Sequence, residues 1–142
     1  MDRKAFIKKC SWSCLGAFAG IVLLPSCYSA KYVDSTLMAD NLIVDLSHFP
    51  AEVEGTSSII VAHAKLKYPI VIFRKGEKYF KALLMKCTHQ GIELRLYGDR
   101  LHCTAHGSQF SLGGEVLNGP ASRSLRSFPT SVSNNQLIIN LQ

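Results

Sequence analysis

Two short segments, Cys87-Thr88-His89 and Cys103-Thr104-Ala105-His106, constrain the fold more than any other part of the chain. Each offers one thiolate and one imidazole, and thirteen residues separate them. Such donors act together only if the backbone brings both segments to one place. The intervening stretch is built to do so. Ile92-Glu93-Leu94-Arg95-Leu96 alternates apolar and polar residues, Tyr97-Gly98-Asp99-Arg100 turns, and Leu101-His102-Cys103 leads back. A hairpin is predicted, with a donor loop at either end of it. Of the five cysteines, Cys10 and Cys14 lie near the N-terminus and Cys27 ends an apolar stretch. Only Cys87 and Cys103 remain in the body of the chain. No pair is left over for a structural disulfide, so metal ligation is the simplest use of these two.

The surroundings of the donors sharpen this. Cys87-Thr88-His89-Gln90-Gly91 and Cys103-Thr104-Ala105-His106-Gly107-Ser108-Gln109-Phe110 both resemble the cluster-binding loops of the Rieske iron–sulfur family. The stretch Gly113-Gly114-Glu115-Val116-Leu117-Asn118-Gly119-Pro120-Ala121 resembles that family's third, proline-containing loop. The resemblance covers residues 55 to 142 and implies one Rieske [2Fe–2S] cluster per chain. Cys87 and Cys103 would bind one iron as thiolates, and His89 and His106 the other as neutral imidazoles. A tetrahedral Cys2His2 zinc site is the chemical rival for the same donors. Zinc knuckles usually group both cysteines and then both histidines, whereas here the two types alternate.

What the resemblance implies for the chemistry is specific. Neutral ligands lower the negative charge on the cluster and raise its potential. The outward imidazole N–H groups would couple electron uptake to proton uptake at alkaline pH. Gly91 and Gly107 would let the loops turn tightly, with their N–H groups aimed at sulfur. Ser108 matches the serine that donates to a bridging sulfide. Phe110 stands where high-potential members carry a tyrosine whose hydroxyl bonds a cysteine sulfur. Ile92 and Ala105 stand where cytochrome bc-type members carry a loop-bridging disulfide. These departures, with Ser108 kept and Pro120 over the cluster, predict about 0 to +200 mV within a family span of about −150 to +300 mV.

The rest of the chain reads as all-β: a Rieske-like antiparallel domain over residues 42–142, with the cluster subdomain at about 84–123 inserted in it. Leu42–Leu46, Ser58–Ala64, Pro69–Arg74 and Tyr79–Met85 are short β-rich runs. The run Ile70 to Phe73 is continuous, β-branched and bounded by Pro and Gly, which marks a buried strand. Ser124–Ser131 and Gln136–Leu141 complete the base, joined at Asn134-Asn135. Residues 27–41 are polar and mixed, and are read as a tether. His48 and His63 are read as structural or solvated, and His102 as a surface residue pointing away from the cluster.

The N-terminus reads as an address. Residues 1–26 carry Arg3, Lys4, Lys8 and Lys9 against Asp2, and an apolar run follows from Ser11 to Pro25. That run is short for a membrane span of about 20 residues and fits an export signal. Leu24-Pro25-Ser26-Cys27 resembles a bacterial lipobox, with Cys27 the lipidated residue. Arg3-Lys4-Ala5-Phe6-Ile7-Lys8 resembles a twin-arginine signal, a route that exports folded cargo; an uncleaved anchor helix is the alternative. Either places the domain in the cell envelope, outside a bacterial cytoplasmic membrane and held at its surface. Residues 27–142 carry 12 Lys/Arg against 9 Asp/Glu, only mildly basic, and no Arg-rich run points to nucleic acid.

Function follows as an expectation. A chain of 142 residues holds one domain of this kind and no second ligand set, so it is not by itself an oxygenase. The reading is an electron-transfer subunit with no catalytic residues of its own, passing single electrons to a redox protein partner. Alternatives are a quinol-oxidising subunit of a cytochrome bc-like complex and the small subunit of a periplasmic molybdenum oxidase. A β module that has lost its metal would need fewer intact donors than are present.

Overall fold

The computed structural model describes residues 30–52 and 55–142. The export-signal and lipobox readings on residues 1–27 lie outside the described residues. The strands are β1 (Lys31–Val33), β2 (Thr36–Met38), β3 (Asn41–Asp45), β4 (Ser57–Val61), β5 (Ile70–Lys75), β6 (Tyr79–Leu84), β7 (Arg95–Tyr97), β8 (Arg100–His102), β9 (Gln109–Ser111), β10 (Val116–Asn118), β11 (Ser127–Phe128), β12 (Thr130–Ser133) and β13 (Gln136–Asn140). A 3₁₀ turn, Leu46–His48, is capped by the Asp45 carboxylate, which accepts from the Ser47 N–H at 2.8 Å. The described residues are nearly all β, as the sequence predicts.

The strands form three sheets, ordered β1-β4-β5-β6-β11, β12-β13-β3-β2 and β10-β9-β8-β7. The third is inserted in the chain between β6 and β11. The β4–β5–β6 meander explains its own apolar runs. Side chains alternate between the two faces of a strand. Ile59, Val61, Ile70, Ile72, Phe80 and Ala82 enter one core, where they meet Leu42, Val44, Leu137 and Ile139 of the second sheet. Ile60, Val71, Phe73 and Leu83 enter another, where they meet Leu94, Leu101 and Phe110 of the inserted sheet. A sheet covered on both faces can be apolar at every position. Asn134 and Asn135, at φ 49° and 61°, turn β12 into β13 and fix its register at Ser133 opposite Gln136.

The expected tether is partly folded. β1 lies parallel to β4, with Val33 buried opposite Val61, and β2 pairs with β3. Strands therefore already occur from Lys31, within the stretch read as a tether. Three-residue strands show too little of a two-residue period to stand out in a polar sequence.

Candidate metal centre

Cys87 follows the isolated bridge of Lys86 with Glu93 and Cys103 follows β8; each opens a tight loop, and the two loops close in the same way. The Cys87 N–H donates to the Ile92 carbonyl at 2.8 Å, and the Gly91 N–H donates to the Cys87 carbonyl at 2.8 Å. The Cys103 N–H donates to the Ser108 carbonyl at 2.8 Å, and the Gly107 N–H to the Cys103 carbonyl at 2.9 Å. In both, cysteine is position one and glycine position five. Gly91 and Gly107 sit at φ 73° and 78°, a left-handed conformation that disfavours any side chain. Each glycine N–H donates to the carbonyl of its own loop's cysteine, which closes the loop. The histidine is third in one loop and fourth in the other.

This construction sorts the donors by depth. Cys87 and Cys103 are fully buried, members of the same core as Leu94, Leu101 and Phe110. Neither is in a disulfide. His89 and His106 are exposed, and their rings face each other edge to face, with centroids 5.1 Å apart and planes at 79°. The loops thus present an inner pair of sulfurs and an outer pair of imidazoles.

The third loop ties the first two together. Ser108 is fully buried, and its hydroxyl oxygen accepts from the Ala121 N–H at 3.0 Å. That oxygen accepts, so its own proton is left to donate. The Asn118 side-chain amide donates to the Gly107 carbonyl and to the Gly119 carbonyl, both at 3.2 Å. The Thr88 hydroxyl donates to the Arg123 carbonyl at 2.6 Å. Pro120, exposed and after a cis peptide bond, lies between Asn118 and Ala121 in this clamp. Thr88 and Asn118 escaped the sequence reading, because their partners lie 35 and 11 residues away with no motif to link them. Phe110 is fully buried beside the cysteines and offers no donor.

The other histidines serve elsewhere. His102 is half-buried on β8 with its ring edge-on to Tyr97 at 6.2 Å. His63 Nδ1 accepts from the Lys65 N–H at 3.2 Å. His48 ends the 3₁₀ turn.

The donor set fits a two-iron group better than one ion. Two imidazole nitrogens at the surface and two sulfurs in the core are what a cluster with chemically distinct irons takes.

No curated protein matches the chain. The cyanobacterial plasma membrane Rieske protein PetC3 from Synechocystis PCC 6803 is 28% identical over 61% of this chain and 87% of its own, at a TM-score of 0.49. A chain of a hyperthermophilic respiratory Complex III is 24% identical over 94% of this chain and 95% of its own, at a TM-score of 0.53, a likeness of fold. The family profile described as the Rieske [2Fe-2S] domain matches residues 49–129, more than half of the chain. The protein belongs to the Rieske [2Fe–2S] domain family, and its cofactor is a [2Fe–2S] cluster of the Rieske type.

Proposed function

We propose that this chain is a one-electron carrier subunit held at the outer face of a bacterial membrane, with Cys87, Cys103, His89 and His106 as the four ligands. The observation that carries this is the division by depth: both thiols at 0% exposure, both imidazoles at the surface with rings 5.1 Å apart. When bound, the cluster supplies one reversible electron at a potential raised by its neutral ligands. The residues do the rest. The core around Cys87 and Cys103 excludes water from the sulfurs. His89 and His106 carry the redox centre to the surface, where a partner can approach within tunnelling distance. Ser108, held by Ala121, keeps a hydroxyl proton free to donate to a sulfur. Membrane attachment through Cys27 rests on the lipobox-like sequence.

His106→Cys tests the ligand assignment. A third thiolate adds negative charge, so the variant should hold the cluster poorly and at a lower potential. An unchanged potential and spectrum would remove His106 from the ligand set.

Exposed imidazoles would also suit a quinol-oxidising subunit, because a ring N–H at the surface can hydrogen-bond a quinol oxygen. Reduction of the purified protein by a quinol analogue, blocked by a quinol-site inhibitor, would favour that reading.

A further inference from the structure

A cleft of about 610 Å³ opens beside the first donor loop, between Tyr68, Lys86, His89, Arg123 and Arg126. None of its lining residues is acidic, while Lys86, Arg123 and Arg126 all carry positive charge. Lys67 adds to them from the rim: its ammonium lies 5.7 Å from the centre of the Tyr68 ring, and that of Lys86 lies 5.4 Å from it. Gly91 permits this arrangement. A Cβ there would meet Lys86 Cε at 3.2 Å and the Tyr68 hydroxyl at 3.5 Å. The loop that carries His89 therefore lies directly against the basic wall.

Among the described residues no ion pair neutralises these cations. Glu93 stands opposite Lys86 in a β-bridge, yet the ion pair among the described residues is Arg100 with Asp99, at 3.0 Å. Arg126 is held in place by donation to the Leu141 carbonyl at 2.8 Å and by the Phe128 ring at 4.8 Å. Arg123 is fixed through its backbone, since its carbonyl receives the Thr88 hydroxyl. Like charges gathered without acids raise each other's energy and are relieved by an anionic partner. The mature chain is only mildly basic, so this is a local concentration and not an overall excess.

We propose that this cleft docks a carboxylate-rich loop of the redox partner protein and makes His89, rather than His106, the histidine nearest the acceptor or donor. This rests on the electron-carrier reading and adds to it the charge of the partner and the side of approach. A protein loop is favoured over a membrane surface because the basic groups line a concavity, which a loop can enter and a lipid plane cannot. Electrostatic steering would then set both encounter rate and orientation.

The test uses the full chain with its cofactor and two probes, cytochrome c with its lysines succinylated and unmodified, basic cytochrome c. Binding is measured by calorimetry at low and at physiological ionic strength, where the screening length is about 8 Å. The succinylated form should bind tighter, and more weakly as salt rises. The double variant K86E/R123E should weaken it by about tenfold or more, and R123Q alone by about threefold. Lys78→Glu, in the turn at the far end of β6, should leave binding unchanged. Equal binding of the two probes, or binding untouched in K86E/R123E and R123Q, would overturn the proposal. So would vesicles of phosphatidylglycerol that bind as well as the succinylated probe and lose binding in the same variants. Calorimetry needs no electron flow. A colourless wild type would therefore defeat the carrier reading, while the docking result is still read separately.

Discussion

At the scale of single residues, the centre is tuned by what its neighbours can and cannot donate. Phe110 is buried with both cysteines and has no hydroxyl. Phe110→Tyr adds a donor there. A hydrogen bond favouring the reduced state by about 1 kcal/mol raises a one-electron potential by about 40 mV. A redox titration should show a rise of that order, and an unmoved potential would mean that the ring does not face a sulfur. Ser108→Ala should lower the potential by a comparable amount, because it removes a proton that the Ala121 contact leaves free. Farther out, the Ser111 hydroxyl donates to Glu115 and holds its carboxyl below the usual carboxylate range. The ionised form is the bonded form. Its stabilisation is present above the ordinary carboxylate value and is lost as pH falls through the lowered one. Ser111→Ala should move the Glu115 titration back toward the ordinary range, as followed by carboxyl NMR; a titration that stays low would show that the hydroxyl is not its cause.

At the scale of elements, three loops are fastened to one another by side chains. Thr88 and Asn118 each bond a carbonyl of a neighbouring loop, and Ser108 receives an N–H from the third. Removing one such bond costs about 1 kcal/mol. Thr88→Val and Asn118→Ala should each lower the unfolding free energy by that order and speed loss of iron to a chelator. Unaltered iron release in both would show that the clamp does not guard the site. Both donor loops were legible in the sequence, since cysteine, histidine and glycine at fixed short spacings report their own geometry. The clamp was not, because hydrogen bonds to a distant backbone carbonyl leave no residue pattern. Sequence shows that glycine is needed at Gly91 and Gly107, yet not whether its N–H goes to a ligand atom or to a loop carbonyl. β1 and β2 were read as tether because three residues are too few to display a period.

At the scale of the whole molecule, one twice-covered sheet separates a structural core from the core that holds the cysteines. The alternation in β4, β5 and β6 made the strands legible, but not which face meets which sheet, a matter of long-range pairing. Ile72 belongs to the first core and Leu83 to the second, and both are fully buried. Either truncation to alanine should cost about 2–5 kcal/mol in denaturant unfolding. Only Leu83→Ala should also broaden the cluster's electron-spin spectrum, because Leu83 shares its core with Cys87 and Cys103. The same change in both variants would contradict this division. The central claim is that two buried sulfurs and two surface imidazoles hold a pair of irons, and anaerobic isolation of the full chain tests it most directly. Iron and labile sulfide in equal amounts, with a rhombic electron-spin signal after dithionite reduction, is the expected result; a colourless protein containing one zinc and no sulfide would contradict it.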